Sequence, residues 1–131
     1  MEARWISLEL VCAIHERQLA EHGGQSGVRD FGLLESALAR PRQLHAYGDP
    51  LPDLCALAAS YAFGIVKNHP FLDGNKRTAH VVYRLFLEWN GLAMNAPKEE
   101  RYFRILALAA GEIEESAFAA WLRKTTSPES E

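Results

Sequence analysis

Nine consecutive residues, His69-Pro70-Phe71-Leu72-Asp73-Gly74-Asn75-Lys76-Arg77, gather an imidazole, a carboxylate, a glycine, an amide and two cations. Histidine is the side chain best suited to take a proton from a hydroxyl near neutral pH, and His69 is the only imidazole in this run. Asp73 offers the single carboxylate with which Mg²⁺ commonly starts a coordination sphere that substrate phosphates complete. Lys76 supplies a point charge, and Arg77 a planar fork that binds two phosphate oxygens at once. Together these residue types point to chemistry on a phosphate group.

The spacing says how they would be held. A helix is expected from about Asn75, entered through Gly74. Its first backbone N–H groups have no intrahelical acceptor, and the helix dipole adds partial positive charge, so such a start attracts anions. Cations in the first turn oppose that dipole, which makes Lys76 and Arg77 poor helix design but sensible phosphate ligands. Each residue also has a plainer reading. Asp73 could cap the helix, His69 could end the preceding one, Gly74 could serve a turn, Asn75 could be a capping amide, and the two cations could be solvated. These readings are weaker jointly than singly, because two cations at a helix start have no structural reason to be there.

The elements that must position this run are helical. Ser7 is an N-cap type before a first helix with Leu10, Val11 and Ile14 on its apolar face, ended by Gly23-Gly24. Residues 23–29 read as a glycine-rich loop. A short second helix begins after Asp30, carries Leu33, Leu34, Ala37 and Leu38, and is closed by Pro41. Residues 41–53, with three prolines, read as a long surface loop; His45, Tyr47 and Asp49 make it a candidate substrate-docking flap. The third helix, about 53–68, is apolar almost all round and belongs in the centre. His69-Pro70 stops it. The fourth helix runs from about Asn75 to Asn90 and buries Ala79, Val82, Tyr83 and Phe86. Pro97 opens a fifth at its first position, and a sixth spans about 114–124. The expected fold class is all-α: a compact bundle around a central helix–loop–helix, in one domain over residues 1–124. Residues 125–131 read as a polar, disordered tail.

Composition narrows the function classes. The 131 residues carry 14 Lys+Arg against 17 Asp+Glu, a net charge of −3, and this mild acidity argues against direct nucleic-acid binding. It also disfavours an RNA-cleaving protein. Cys12 and Cys55 form no C-x-x-C pair and read as small buried thiols in a reducing compartment. The first residues hold no apolar run, and the longest apolar stretch, Leu54 to Val66, is too short to span a bilayer. A cytoplasmic protein without membrane contact is expected. His15 and His22 lack the i, i+4 spacing of a helical metal pair. His80 reads as a helix-surface residue.

The run from His69 to Arg77 resembles the signature of the Fic/Doc superfamily, H-x-F-x-D/E-G/A-N followed by G or K and then R. The likeness continues in His15-Glu16-Arg17, Gly23-Gly24, Arg29-Asp30, Gly32-Leu33-Leu34-Glu35-Ser36-Ala37 and Phe86-Leu87-Glu88-Trp89-Asn90-Gly91, which are similar to death-on-curing (Doc) proteins. The resemblance implies that His69 is catalytic, that Gly74, Asn75, Lys76 and Arg77 bind the nucleotide's phosphates, and that Asp73 holds Mg²⁺. Two positions depart from the adenylylating Fic pattern: Lys76 stands where that pattern has glycine, and His80 where it has a second arginine for the γ-phosphate. The Doc branch shares both departures.

The resemblance therefore implies an ATP-dependent protein kinase that transfers the γ-phosphate to a Thr or Ser hydroxyl. The expected acceptor is a translation factor, elongation factor Tu, so that bacterial translation halts. It also implies the toxin of a toxin–antitoxin pair, restrained by a small antitoxin with a helical C-terminal segment. The alternatives are AMP transfer of the Fic type and a catalytically silent interaction module. Thr125 to Glu129 begins the spacing of a Fic self-inhibitory motif, S/T-x-x-x-E-G/N, but Ser130 follows the glutamate and Pro128 disfavours a helix.

Overall fold

The computed structural model describes residues 2–129. Six helices make the bundle: α1 (Leu8–His22), α2 (Phe31–Tyr47), α3 (Leu54–Asn68), α4 (Asn75–Trp89), α5 (Lys98–Ala109) and α6 (Glu115–Thr125). Three of them begin at side-chain caps. Ser7, Asp30 and Asp53 accept hydrogen bonds from the backbone N–H of Leu10, Leu33 and Ala56, each contributing about 1 kcal/mol.

The all-α expectation holds. α3 packs most extensively, against α4 on one side and α2 on the other, with α6 across it. One apolar cluster runs through the described residues, and Tyr61, Tyr83, Phe71, Phe86 and Phe118 are its largest fully buried side chains. Each such ring stabilises the fold by roughly 1.5–3 kcal/mol relative to exposure. The motif segment thus joins two helices that are packed into the core. No helix among the described residues is long and apolar enough to cross a membrane.

Two expectations are corrected. Pro41 does not close the second helix, which continues to Tyr47, so the long loop of residues 41–53 shrinks to 48–53. His45 and Tyr47 lie in the last turn of α2 rather than in a flap. An interior proline crowds the carbonyl of residue i−4, here Ala37, and leaves it without a helical donor. Gly64 of α3 gives that carbonyl room: a Cβ there would stand 3.1 Å from the Ala37 oxygen. Pro41 itself is buried against the core.

The tail is also more ordered than expected. Strands β1 (Leu92–Met94) and β2 (Thr126–Pro128) pair antiparallel, Ala93 opposite Ser127. Asn95 Nδ2 donates to Ser127 Oγ at 3.0 Å, and Glu129 N–H donates to Gly91 O at 2.9 Å. Backbone pairing across 34 residues of sequence leaves no local pattern to read. The same pairing keeps Thr126–Pro128 out of an inhibitory helix. Met1, Ser130 and Glu131 lie outside the described residues, and with them the last two residues of the expected disordered tail. Pro97 is the N-cap of α5 rather than its first residue.

Candidate phosphate-handling site

α3 ends at His69, whose backbone is left-handed (φ 51°, ψ 54°), and its N–H still donates to Ile65 O. Pro70 follows and cannot continue the helix. The chain turns through Phe71 and Leu72 to Gly74, which has φ 79° and enters α4 without any side-chain cap. The Thr78 N–H closes the first turn onto Gly74 O at 3.0 Å. The N–H groups of Asn75, Lys76 and Arg77 therefore stand ahead of the first intrahelical bond. Both cations are exposed and, among the described residues, neither makes an ion pair.

His69, Asp73, Gly74, Asn75, Lys76 and Arg77 line one cavity of about 420 Å³. The structure thus brings together every residue singled out from the motif. Asp73 does not cap the helix; Gly74 occupies that position. Its carboxylate instead accepts from Gln25 N–H (3.2 Å) and Gly74 N–H (2.9 Å). These two backbone donors, Gln25 first, hold the carboxyl below the usual carboxylate range, so it is ionised at neutral pH.

Asn75 takes a different part from the one expected of its side chain. Its Oδ1 accepts from Phe71 N–H and its Nδ2 donates to Phe71 O, both at 3.0 Å, and it is buried. The amide staples the loop shut, leaving only its backbone N–H to face an anion. His80, expected on the surface, is half-buried between α4 and α5 with its ring near Tyr102. Burial first, then the charges of Arg84, Arg101 and Lys98, lower its pKa to about 4. At neutral pH position 80 therefore offers no cation.

Two residues that hold the loop were not recognised from spacing. His15 of α1 is buried, stacks on Phe71 with ring centroids 3.8 Å apart, and places Nε2 2.8 Å from Asp73 O. Arg29 donates from Nε to His69 O and from a terminal nitrogen to Asn68 O, both at 2.8 Å. Its own N–H and that of Asp30 donate to Pro70 O. Leu72 N–H donates to Gly27 O, so residues 25–30 run beside the motif loop as a brace. The available signal was the family likeness at His15 and Arg29.

Among the described residues, no three His, Cys, Asp or Glu side chains cluster to hold a metal ion. An all-protein metal cage is therefore absent there. The lone ionised Asp73 beside a helix start fits a hard cation that draws its other ligands from phosphate oxygens and water.

A family model described as "Fic/DOC family" matches residues 5–87. "Protein kinase doc" of Escherichia phage P1 is 35% identical over 121 residues, 92% of this chain and 94% of that protein. "Toxin Doc" of Mycolicibacterium smegmatis is 45% identical over 75 residues, 56% of this chain and 57% of that protein. The matched span runs from the start of the bundle through the motif loop and most of α4, and the chain belongs to the Fic/Doc family.

Proposed function

We propose that this protein is the toxin of a toxin–antitoxin pair and an ATP-dependent protein kinase. It transfers the γ-phosphate to a Thr or Ser hydroxyl of a translation factor, with elongation factor Tu the expected acceptor. A small antitoxin with a helical C-terminal segment restrains it, in the cytoplasm. The observation that carries the reading is the single cavity shared by His69, Asp73, Lys76 and Arg77. The names of the two relatives, one a kinase and one a toxin, support it.

In this reading the terminal phosphate of ATP sits against the N–H groups of Asn75, Lys76 and Arg77. The side chains of Lys76 and Arg77 neutralise its oxygens. His69 accepts the hydroxyl proton as that oxygen attacks the γ-phosphorus. The bond to the β–γ bridging oxygen breaks, and ADP leaves. Asp73 would hold Mg²⁺, which would supply charge neutralisation on the phosphates. A transferase that turned the nucleotide the other way would need a γ-phosphate anchor at position 80. The neutral His80 speaks against that arrangement.

Incubation with γ-labelled or α-labelled ATP and a bacterial lysate tests the proposal. Label from γ alone on an acceptor protein is expected. Label from α would replace the kinase with a nucleotidyl transferase, and none from either would leave an interaction module.

A further inference from the structure

His69 is the one non-glycine residue among those described whose φ is positive, at 51°. A left-handed backbone strains a residue that carries a Cβ, and it persists where the surroundings hold it. Pro70 gives no help, since it has no N–H to offer. The end of α3 is also electrically unfavourable. Its last carbonyls lack helical donors and carry the negative end of the helix dipole. The oxygens of residues 68–70 therefore need donors from outside α3.

Arg29, 40 positions before His69 in the loop between α1 and α2, supplies them. Its Nε donates to His69 O and a terminal nitrogen to Asn68 O, both at 2.8 Å. Its own N–H donates to Pro70 O at 2.7 Å. One residue thus meets three successive carbonyls. Residue 68 has a further tie, because Asn68 Nδ2 donates to Leu33 O at 2.9 Å. His69 O has no such second support: among the described residues no loop or cap N–H donates to it. The guanidinium makes no ion pair among these residues, so its charge is committed to the carbonyl end of α3. Arg29 is exposed, and core packing gives no reason for it.

We propose that Arg29 is a positioning residue for the group transfer at His69, acting by fixing the backbone from which the imidazole enters the cavity. The inference rests on the reading of His69 as the base. The planar fork matters because it spans two adjacent carbonyls at a fixed spacing, whereas a lysine places one ammonium and cannot set both. Displacing a reacting group by about 1 Å can cost on the order of 10²-fold in rate. The phosphate-binding start of α4 keeps its own supports, His15 on Asp73 O and the Asn75 amide on Phe71. Loss of Arg29 therefore appears in kcat and leaves the KM for ATP near its wild-type value.

The test compares the wild type, Arg29→Ala, Arg29→Lys and, as a control, Arg17→Ala, which removes an exposed arginine of α1. Rates are normalised to folded protein. In Arg29→Ala, kcat should fall about 10–100-fold, recover partly in Arg29→Lys, and recover in Arg29→Ala when methylguanidinium is added. The KM for ATP should stay within about twofold of wild type, and Arg17→Ala should match wild type throughout. The backbone carbon shifts of His69 in NMR, which report its left-handed conformation, should move in Arg29→Ala and return with methylguanidinium. An ATP KM that rises while kcat holds would make Arg29 a nucleotide ligand instead. A wild-type kcat per folded molecule would leave it a structural brace. Either result, or unmoved His69 shifts, overturns the positioning role. The shifts are read without ATP, so a wild type that transfers no phosphate would sink the kinase reading while they still decide whether Arg29 sets the His69 backbone.

Discussion

His15 Nε2 lies 2.8 Å from the main-chain oxygen of Asp73, a residue 58 positions later, while its ring stacks on Phe71. One buried side chain of α1 thus holds both the polar and the apolar side of the motif loop. Replacing it with alanine removes a buried hydrogen bond and most of a ring's packing. We expect His15→Ala to lower stability by about 2–3 kcal/mol. The check is the midpoint of guanidinium unfolding; an unshifted midpoint would mean that Arg29 and the 25–30 brace suffice.

His69 behaves in the opposite way. It is exposed, and its left-handed backbone is one that glycine adopts without strain. The bonds at this position are made by its N–H and C=O, which any residue retains. His69→Gly should therefore keep or raise stability, by up to about 1 kcal/mol, while losing roughly 10²–10⁴-fold in transfer rate. Growth inhibition on expression should disappear at equal protein level. A variant still fully toxic would remove His69 from its role as base.

Gly24 has φ 126°, and a Cβ there would stand 2.8 Å from Asp73 Oδ2 and 2.9 Å from Leu19 Cδ2. Gly24→Ala should push the carboxylate away from the Gln25 donor and cost about 1–3 kcal/mol through backbone strain. The Mg²⁺ concentration giving half-maximal activity should rise several-fold, with the protein still folded. An unaltered Mg²⁺ requirement would argue that Asp73 is not the metal's carboxylate.

What the sequence discloses about this architecture follows the range of each interaction. The α3–α4 hairpin is readable because its signals are local: an apolar helix, His69-Pro70 as a stop and Gly74 as a start. The motif carried its own chemistry within nine residues. Pro41 misled, since its accommodation depends on Gly64, 23 residues away on a neighbouring helix. His15, Arg29 and the β1–β2 pair act across 34 to 58 residues, and nothing beside them in sequence announces a partner. Asn75 was assigned to phosphate by its position, whereas only the folded loop reveals that its amide is committed to Phe71.

His80 gives the fold a pH dependence of known sign. Its pKa falls from 6.5 to about 4 on folding, because burial and the neighbouring cations disfavour its charge. Between these values the unfolded chain binds the proton more readily, so stability is complete above pH 6.5 and declines as pH falls toward 4. The ring is partly open to solvent, and screening reduces the effect to about 1–2 kcal/mol. Unfolding free energies of wild type and His80→Gln at several pH values between 4 and 7 provide the measurement. The wild-type loss on acidification across this window should exceed the variant's; equal losses would contradict a depressed His80.

Lys76 and His80 together should determine which phosphate reacts. Lys76 lies in the first turn of α4 and lines the cavity with His69, adding bulk and a point charge where the Fic pattern leaves space with glycine. A nucleotide whose inner phosphates need that space is disfavoured, whereas a terminal phosphate gains a cation. Lys76→Gly should lower kinase activity by about tenfold or more through loss of a charged contact. It should not create an efficient AMP transferase, since neutral His80 cannot replace the missing arginine. Lys76→Gly with His80→Arg supplies both features and is the fairer test of a switch. The new arginine would join Arg84, Arg101 and Lys98, so its charge repulsion must be offset by bound nucleotide before AMP transfer emerges. Intact mass of the modified acceptor distinguishes added phosphate from added AMP. If the wild-type protein already attaches AMP, Lys76 does not orient the nucleotide, and the terminal phosphate is not the group held at the start of α4.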